Sequence, residues 1–329
     1  MKPVVNLHWH SPTDSTGFYR ATGPLTAIKG IDLQVRTEAC EFPEMDADLA
    51  FVHRPSFQEH LYTIDVYKKY GVPVWIDFDD DFFHVTCDSF AFKNLSHPEV
   101  QKNIKTALML ADAVTVTTKA LKELYQPYAK CEVQVIPNAM PDWLAKRKQE
   151  PSGNKKILWR GNETHKRDLE SVEKDVIEIA LANPEWSWVF MGGWIRWKIQ
   201  EAFIKNRIQY EVISNLNILS FFEELLQQAP AVVMVPLDET VFNQAKSNIA
   251  WMEATLVGAK AVAPAWPEWD KPGVMQYEQH RPFKDTLLHA IVRSWDTSAS
   301  WNHITDNLLL SKVNEARINV IQQLTGESL

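Results

Sequence analysis

Residues 156–182 read KILWRGNETHKRDLESVEKDVIEIALA. KILW is a short apolar run suited to a buried strand. Arg160 and Gly161 follow at once, and residues 168–182 place apolar side chains at helical spacing. Strand, glycine turn and helix in that order form the unit of a parallel sheet covered by helices. The unit repeats downstream. Residues 186–191 (WSWVFM), 208–213, 231–235 (AVVMV) and 261–263 read as strands, with helices over 220–228 and 247–257. Helical segments over 283–295 and 307–324 end the chain.

The same alternation runs upstream. Residues 4–9 (VVNLHW), 32–37, 49–54 (LAFVHR), 72–77 (VPVWID), 113–118 (AVTVTT) and 132–137 (EVQVIP) read as strands, with helices over 18–29, 58–70 and 100–111. Between the two series, residues 137–154 hold Pro137, Pro141 and Pro151, the charged run Lys146 to Lys148, and Gly153. That composition predicts a linker that buries little. The expected architecture is α/β, two Rossmann-like domains facing a central cleft. Residues 1–140 form the first domain, 141–154 the linker and 155–300 the second. Residues 301–329 form a helical segment that packs back on the first domain. Ligands of open α/β sheets bind where the strand carboxyl ends meet loops and helix N-termini.

Composition narrows the function. The 329 residues are 45% hydrophobic and 23% charged, a globular balance with room for two cores. Cys40, Cys87 and Cys131 are far apart and lack metal-ligand spacing, so reduced thiols are expected. No signal peptide or membrane-length apolar run is legible, which predicts a cytoplasmic protein. A net charge of −8 argues against a non-specific nucleic-acid binder, although a local basic groove remains compatible with it. The 13 tryptophans suit core packing, and equally the stacking of sugars or bases.

Two segments suit a diphosphate. In the first, Gly161 allows close backbone approach, Arg160, Lys166 and Arg167 supply cations, and a helix N-terminus adds partial positive charge. A solvated basic turn would look the same. In the second, FNQAKSNIAWMEATLVG over residues 242–258, Ser247 is expected to cap a helix beside Lys246 and Asn248, with amides aimed at phosphate oxygens. Glu253 falls about two turns inside that helix, placed to accept from a ribose diol. An ordinary cap and an exposed helical glutamate are the bland alternatives.

The strand–glycine–basic turn, together with KSNIAWMEATLVGAKAVAP over residues 246–264, resembles the donor domain of GT-B glycosyltransferases, in particular the retaining family-4-type group and its phage and bacterial members. Pro137-Asn138-Ala139 resembles that group's interdomain junction. The resemblance implies that Glu253 holds the nucleotide ribose while Arg160 and Lys166 hold the diphosphate. It also implies sugar transfer from a nucleoside-diphosphate sugar, UDP-linked in expectation, with retention at the anomeric carbon. The group often carries a second glutamate, with seven residues between the two; here that position is Ala245, followed by Lys246-Ser247. Cationic groups already oppose the leaving diphosphate, so no divalent metal and no cofactor is expected.

The acceptor side is less legible. Asp14 to Arg20 resembles the group's glycine loop, with Gly17 approaching the ligand and Arg20 projecting from the first helical turn. Asp77, Asp79, Asp80 and Asp81 crowd one strand end. They are expected either to bind sugar hydroxyls, to hold a metal, or to divide between capping and solvent. Asp77 is expected at the reacting centre and Asp79 and Asp80 on the acceptor side. His10 would orient an acceptor hydroxyl. The acceptor itself is left open, a hydroxymethylated base in phage DNA included. A non-catalytic nucleotide- or sugar-binding protein on the same scaffold is the rival reading.

Overall fold

The computed structural model describes residues 2–8, 14–36, 46–85 and 94–329. The first half builds a six-stranded parallel sheet from β1 (Val4–His8), β2 (Asp32–Arg36), β3 (Leu49–His53), β4 (Val74–Phe78), β5 (Ala113–Val116) and β6 (Val133–Val135), in the order β2-β1-β3-β4-β5-β6. The second half repeats this with β7 (Lys156–Arg160), β8 (Ser187–Met191), β9 (Tyr210–Ile213), β10 (Val232–Met234), β11 (Lys260–Pro264) and β12 (Val274–Tyr277), in the order β12-β11-β10-β7-β8-β9. In each sheet the chain winds one way and then the other, so the order reverses between β1 and β3 and between β7 and β10. β3, β4 and β11 are buried at every position, which is why they read as mostly apolar runs broken only by His53, Asp77 and Lys260.

The helices relevant to the site are α1 (Ser15–Arg20), α2 (Thr22–Thr26), α3 (Gln58–Lys69), α4 (Pro98–Leu110), α5 (Lys119–Tyr125) and α6 (Asp142–Ala145) in the first half and the junction. After them come α7 (Lys166–Ser171), α8 (Glu173–Ala182), α9 (Trp197–Asn206), α10 (Ile218–Gln228), α11 (Val241–Gln244), α12 (Ile249–Leu256), α13 (Phe283–Val292), α14 (Ser298–Asn307) and α15 (Leu310–Thr325). The helix expected over 18–29 is in fact α1 and α2, broken at Ala21, because Pro24 has no N–H for the carbonyl of Arg20. The helix expected over 168–182 is likewise α7 and α8, separated at Val172.

The segment over 137–154 does more than link. Asn138, Ala139, Met140 and Leu144 are buried, and Met140 exchanges backbone hydrogen bonds with Leu308 and Leu310 at 2.8 Å each. Apolar side chains spaced among prolines carry no period, so composition concealed their burial. α15 returns to the first sheet, where Leu310, Val313, Val320 and Ile321 join the core of Val5, Leu7 and Phe51. No helix among the described residues is long and apolar enough to cross a membrane.

His8 ends β1 with its Nε2 3.0 Å from the Tyr67 hydroxyl. Burial, helped by Arg36, pushes its pKa down to about 4. The unfolded chain takes this proton near pH 6.5 and the fold refuses it until about 4, so stability is intact at neutral pH and lost as pH falls through that window. The loss should reach roughly 3 kcal/mol from this group. His8→Gln should flatten the fall in urea midpoint between neutral and acidic pH; an unchanged slope would clear His8 of the effect.

Candidate active site

A cleft of about 460 Å³ lies between the two sheets at their strand carboxyl ends. That volume suits a small-molecule site. Both switch points feed it. Arg54 enters from the end of β3 and Arg160 from the end of β7; Met234 and Val235 close it at the end of β10. The first turn of α1, the first turns of α12 and the loop after β7 complete the walls.

Glu253 and Arg160 form the floor on the second-domain side. Glu253 projects from α12, is 3% exposed, and pairs with the Arg160 guanidinium. Its other oxygen accepts from the Tyr19 hydroxyl at 3.1 Å, a hydrogen bond that crosses between the halves of the chain. Burial pushes the Glu253 carboxyl up, and Arg160 opposes that shift. The exposed helical glutamate that the sequence equally allowed is therefore not what folds.

Lys246 lines the cleft with its ammonium 3.6 Å from Asp80 and 4.4 Å from the Phe242 ring centroid. Ser247 lines the cleft too, but it is not the cap expected of it. The N-cap is Asn248, and Ser247 Oγ accepts from Asn138 Nδ2 at 2.9 Å. Asn248 is buried and turns its own amide to Glu268 at 2.8 Å, leaving the first turn of α12 without a side-chain cap. Unclaimed amides at a helix start favour an anion.

The basic turn divides. Arg160 reaches the cleft, whereas Lys166 and Arg167 are exposed on α7 and outside its lining. Three residues of 3₁₀ helix, Glu163–His165, rotate α7 away, a detail that spacing does not reveal. Gly161 lies beneath the loop rather than in the lining. A Cβ there would sit 2.6 Å from the Trp159 ring, and one on Gly192 would sit 2.2 Å from the Gly161 carbonyl oxygen. Gly192 has φ +128, so two glycines let the loops after β7 and β8 cross.

That turn also supplies a residue the sequence reading passed over. His165 lines the cleft and its Nδ1 lies 2.8 Å from Asp168 Oδ2. Asp168 is itself held, accepting from Asp238 N at 3.0 Å and Asn243 Nδ2 at 2.6 Å. A carboxylate only accepts, so Nδ1 carries the proton and Nε2 keeps a lone pair in the neutral ring. Burial, with Lys246 and Arg160, lowers the His165 pKa against the pull of Asp168. The i, i+3 spacing of His165 and Asp168 was the available signal.

The acidic run resolves into separate partnerships. Asp77, expected at the reacting centre, is not among the residues lining the cleft. It is 1% exposed, accepts from Arg20 Nε at 3.0 Å and Nη2 at 2.6 Å, and from Thr115 Oγ1 at 2.6 Å. Arg20 is correspondingly buried, with Nη1 donating to the Ile136 carbonyl at 2.6 Å, so it does not project toward an acceptor. Gly17 is a buried residue inside α1 rather than part of a loop, its amide donating to Asp14 at 3.0 Å. Asp79 and Asp80 do line the cleft. Asp79 pairs with Arg54; burial works against its charge, yet Arg54 and His53 hold the carboxyl far below the usual range. Asp81 is buried and accepts from the amides of Phe83 and His84 at 2.8 and 3.1 Å. Arg54 has φ +53, the left-handed region that costs a non-glycine residue about 1–2 kcal/mol. His10 lies outside the described residues. Among the described residues no cluster of His, Cys, Asp and Glu is arranged to hold a metal ion.

Two facing Rossmann-like domains with a cleft at their strand ends define the GT-B fold, and solved structures of that class match the chain. The pneumococcal O-GlcNAc transferase GtfA, solved with UDP and GlcNAc, is 12% identical, with a TM-score of 0.58 over 85% of this chain and 57% of its own. TarM is 12% identical at TM-score 0.56, over 83% of this chain and 54% of its own. A protein from Listeria monocytogenes assigned as a UDP-N-acetylglucosamine 2-epimerase is 11% identical at TM-score 0.59, over 100% of this chain and 98% of its own. The chain thus spans little more than half the length of GtfA and of TarM. No family model and no curated protein matches it by sequence.

Proposed function

We propose that this chain is a glycosyltransferase that moves a sugar from a UDP-sugar to an acceptor hydroxyl. The observation that carries this reading is the pairing of buried Glu253 with half-buried Arg160 on the floor of a cleft whose rim holds Lys246 and the uncapped start of α12. Glu253 would accept from the ribose diol. Arg160, Lys246 and the amides near Ser247 and Asn248 would oppose the charge that grows on the departing diphosphate, without a divalent ion. UDP as carrier is supported by the presence of that nucleotide in the solved complex of GtfA and in that of MnaA from S. aureus, the latter 11% identical at TM-score 0.53.

Retention at the anomeric carbon fits the state of the cleft carboxylates. Asp79, Asp80 and Glu253 each face a cation, so the base for the incoming hydroxyl is the donor phosphate or the free Nε2 of His165 rather than a cleft carboxylate. A second reading, rearrangement of the donor sugar with no outside acceptor, is supported by the match to the Listeria protein assigned as a UDP-N-acetylglucosamine 2-epimerase.

UDP should raise the melting temperature of the wild type, and Glu253→Ala should weaken UDP binding about tenfold to a hundredfold, the value of one charge-assisted hydrogen bond. Undiminished affinity in the variant removes Glu253 from the ribose; no shift with UDP removes the donor reading. Mass spectrometry and NMR of UDP-sugar incubations then separate the chemistries. A glycosylated product with retained configuration, formed in EDTA, supports transfer. An isomerised UDP-sugar formed without acceptor supports the second reading, and binding without turnover supports a non-catalytic protein. Small hydroxyl compounds and hydroxymethylated DNA are offered in parallel.

A further inference from the structure

A second cavity of about 430 Å³ lies behind Tyr19, where α1 and α2, the junction segment and the start of α10 meet. Its walls include Phe18, Ile218, Leu310 and Ala139, with Trp143 and Leu219 at 46% and 56% exposed. The polar side chains in the lining are already engaged. Thr22 Oγ1 donates to the Gly17 carbonyl at 3.2 Å, Thr26 Oγ1 to the Thr22 carbonyl at 2.6 Å, and Asn217 Oδ1 accepts from Ser220 N at 3.0 Å to cap α10. The cavity therefore offers a guest apolar walls and ring edges and few free polar groups. Such a lining selects an apolar group, because a polar one would lose its water without a partner.

The position says which molecule would bring that group. Tyr19 lines both this cavity and the main cleft, and its hydroxyl ends on Glu253. Ser15 and Thr16, on the preceding turn, face the main cleft. One short helix thus borders both spaces. It belongs to the first half of the chain, opposite Arg160, Lys246 and Glu253, so a molecule touching it approaches from the acceptor side. We propose that the cavity receives the apolar portion, alkyl or aromatic, of a hydroxyl-bearing acceptor whose polar end lies in the cleft. This rests on the transferase reading above.

The experiment compares octyl β-D-glucoside, kept below its micelle concentration, with methyl β-D-glucoside, by calorimetry with and without UDP. The two share every hydroxyl and differ in the apolar chain. Burying only about two methylenes is enough for tenfold, so the octyl compound should bind the wild type at least tenfold tighter than the methyl compound. Ala27→Trp, at the exposed C-terminal cap of α2 and within the lining, should remove that advantage while leaving UDP affinity unchanged. Leu219→Ser should reduce it. Because Tyr19 touches both spaces, UDP should tighten octyl binding severalfold.

An advantage that survives in both variants overturns the proposal. Displacement by UDP overturns it as well, since the chain would then lie in the donor cleft. Octyl binding indifferent to UDP overturns the acceptor assignment and leaves an independent effector site. A wild type that ignores UDP yet keeps octyl binding sensitive to Ala27→Trp marks a different failure: the transferase reading falls, and the acceptor assignment with it, while the cavity stands as a binding site.

Discussion

Asp77→Asn should destabilise the protein by about 3–5 kcal/mol, the range for stripping a buried ion pair of one member. The reason is a count of charges. Asp77 binds the buried Arg20 guanidinium through both oxygens and also acts electrostatically on the buried Arg317, which is 1% exposed. Burial pushes Arg317 down to about 9; repulsion from Arg20 adds to the fall, and Asp77 opposes it. Arg317 Nη1 donates to Asn314 at 3.1 Å, and its Nη2 has no hydrogen-bond partner among the described residues. Removing the carboxylate leaves two buried, mutually repelling cations without their shared counter-charge. Arg20→Met leaves one cation and one anion and should cost less. Arg317→Met removes the surplus charge and should be close to neutral. Urea midpoints give this order directly. The reverse result, an Asp77→Asn protein as stable as wild type but without turnover, would return Asp77 to the reacting centre.

That order bears on what a sequence reveals. The architecture was legible because its signals are local: β3, β4 and β11 are buried on both faces and therefore apolar at nearly every position. Glu253 was legible as a candidate through the pattern around it, and it folds at the floor of the cleft. The acidic run misled because strand-end carboxylates look alike until their partners are known. Arg20 is 57 residues from Asp77 and Arg54 is 25 from Asp79, distances over which a sequence carries no visible pairing. Lys166 was separated from Arg160 by one turn of 3₁₀ helix, while Lys246, far off in sequence, lines the same cleft as Arg160. His165 went unread because its partner Asp168 doubles as a structural acceptor for Asp238 and Asn243.

Arg160→Ala should lower turnover about 100- to 1,000-fold, the usual cost of losing a donor that faces charge developing in a transition state. The guanidinium is 28% exposed and pairs with Glu253 at the cleft floor, so it is within reach of a ligand while fixed by a buried partner. Its loss acts twice. The diphosphate loses a cation, and Glu253, whose carboxyl burial already pushes up, loses the group that opposes that rise. Its carboxyl should then take up a proton more readily, which weakens it as an acceptor for the ribose diol and raises KM alongside the fall in kcat. The same protonation limits the damage to folding, because a neutral Glu253 tolerates burial with Tyr19 still in contact. Lys166→Ala and Arg167→Ala are the controls. Both residues are exposed on α7, outside the cleft lining, and both variants should stay within a few-fold of wild type. Equal losses in all three would show that the whole turn closes over the ligand. Full activity in Arg160→Ala would move the diphosphate away from β7, leaving Lys246 and the start of α12 to hold it alone.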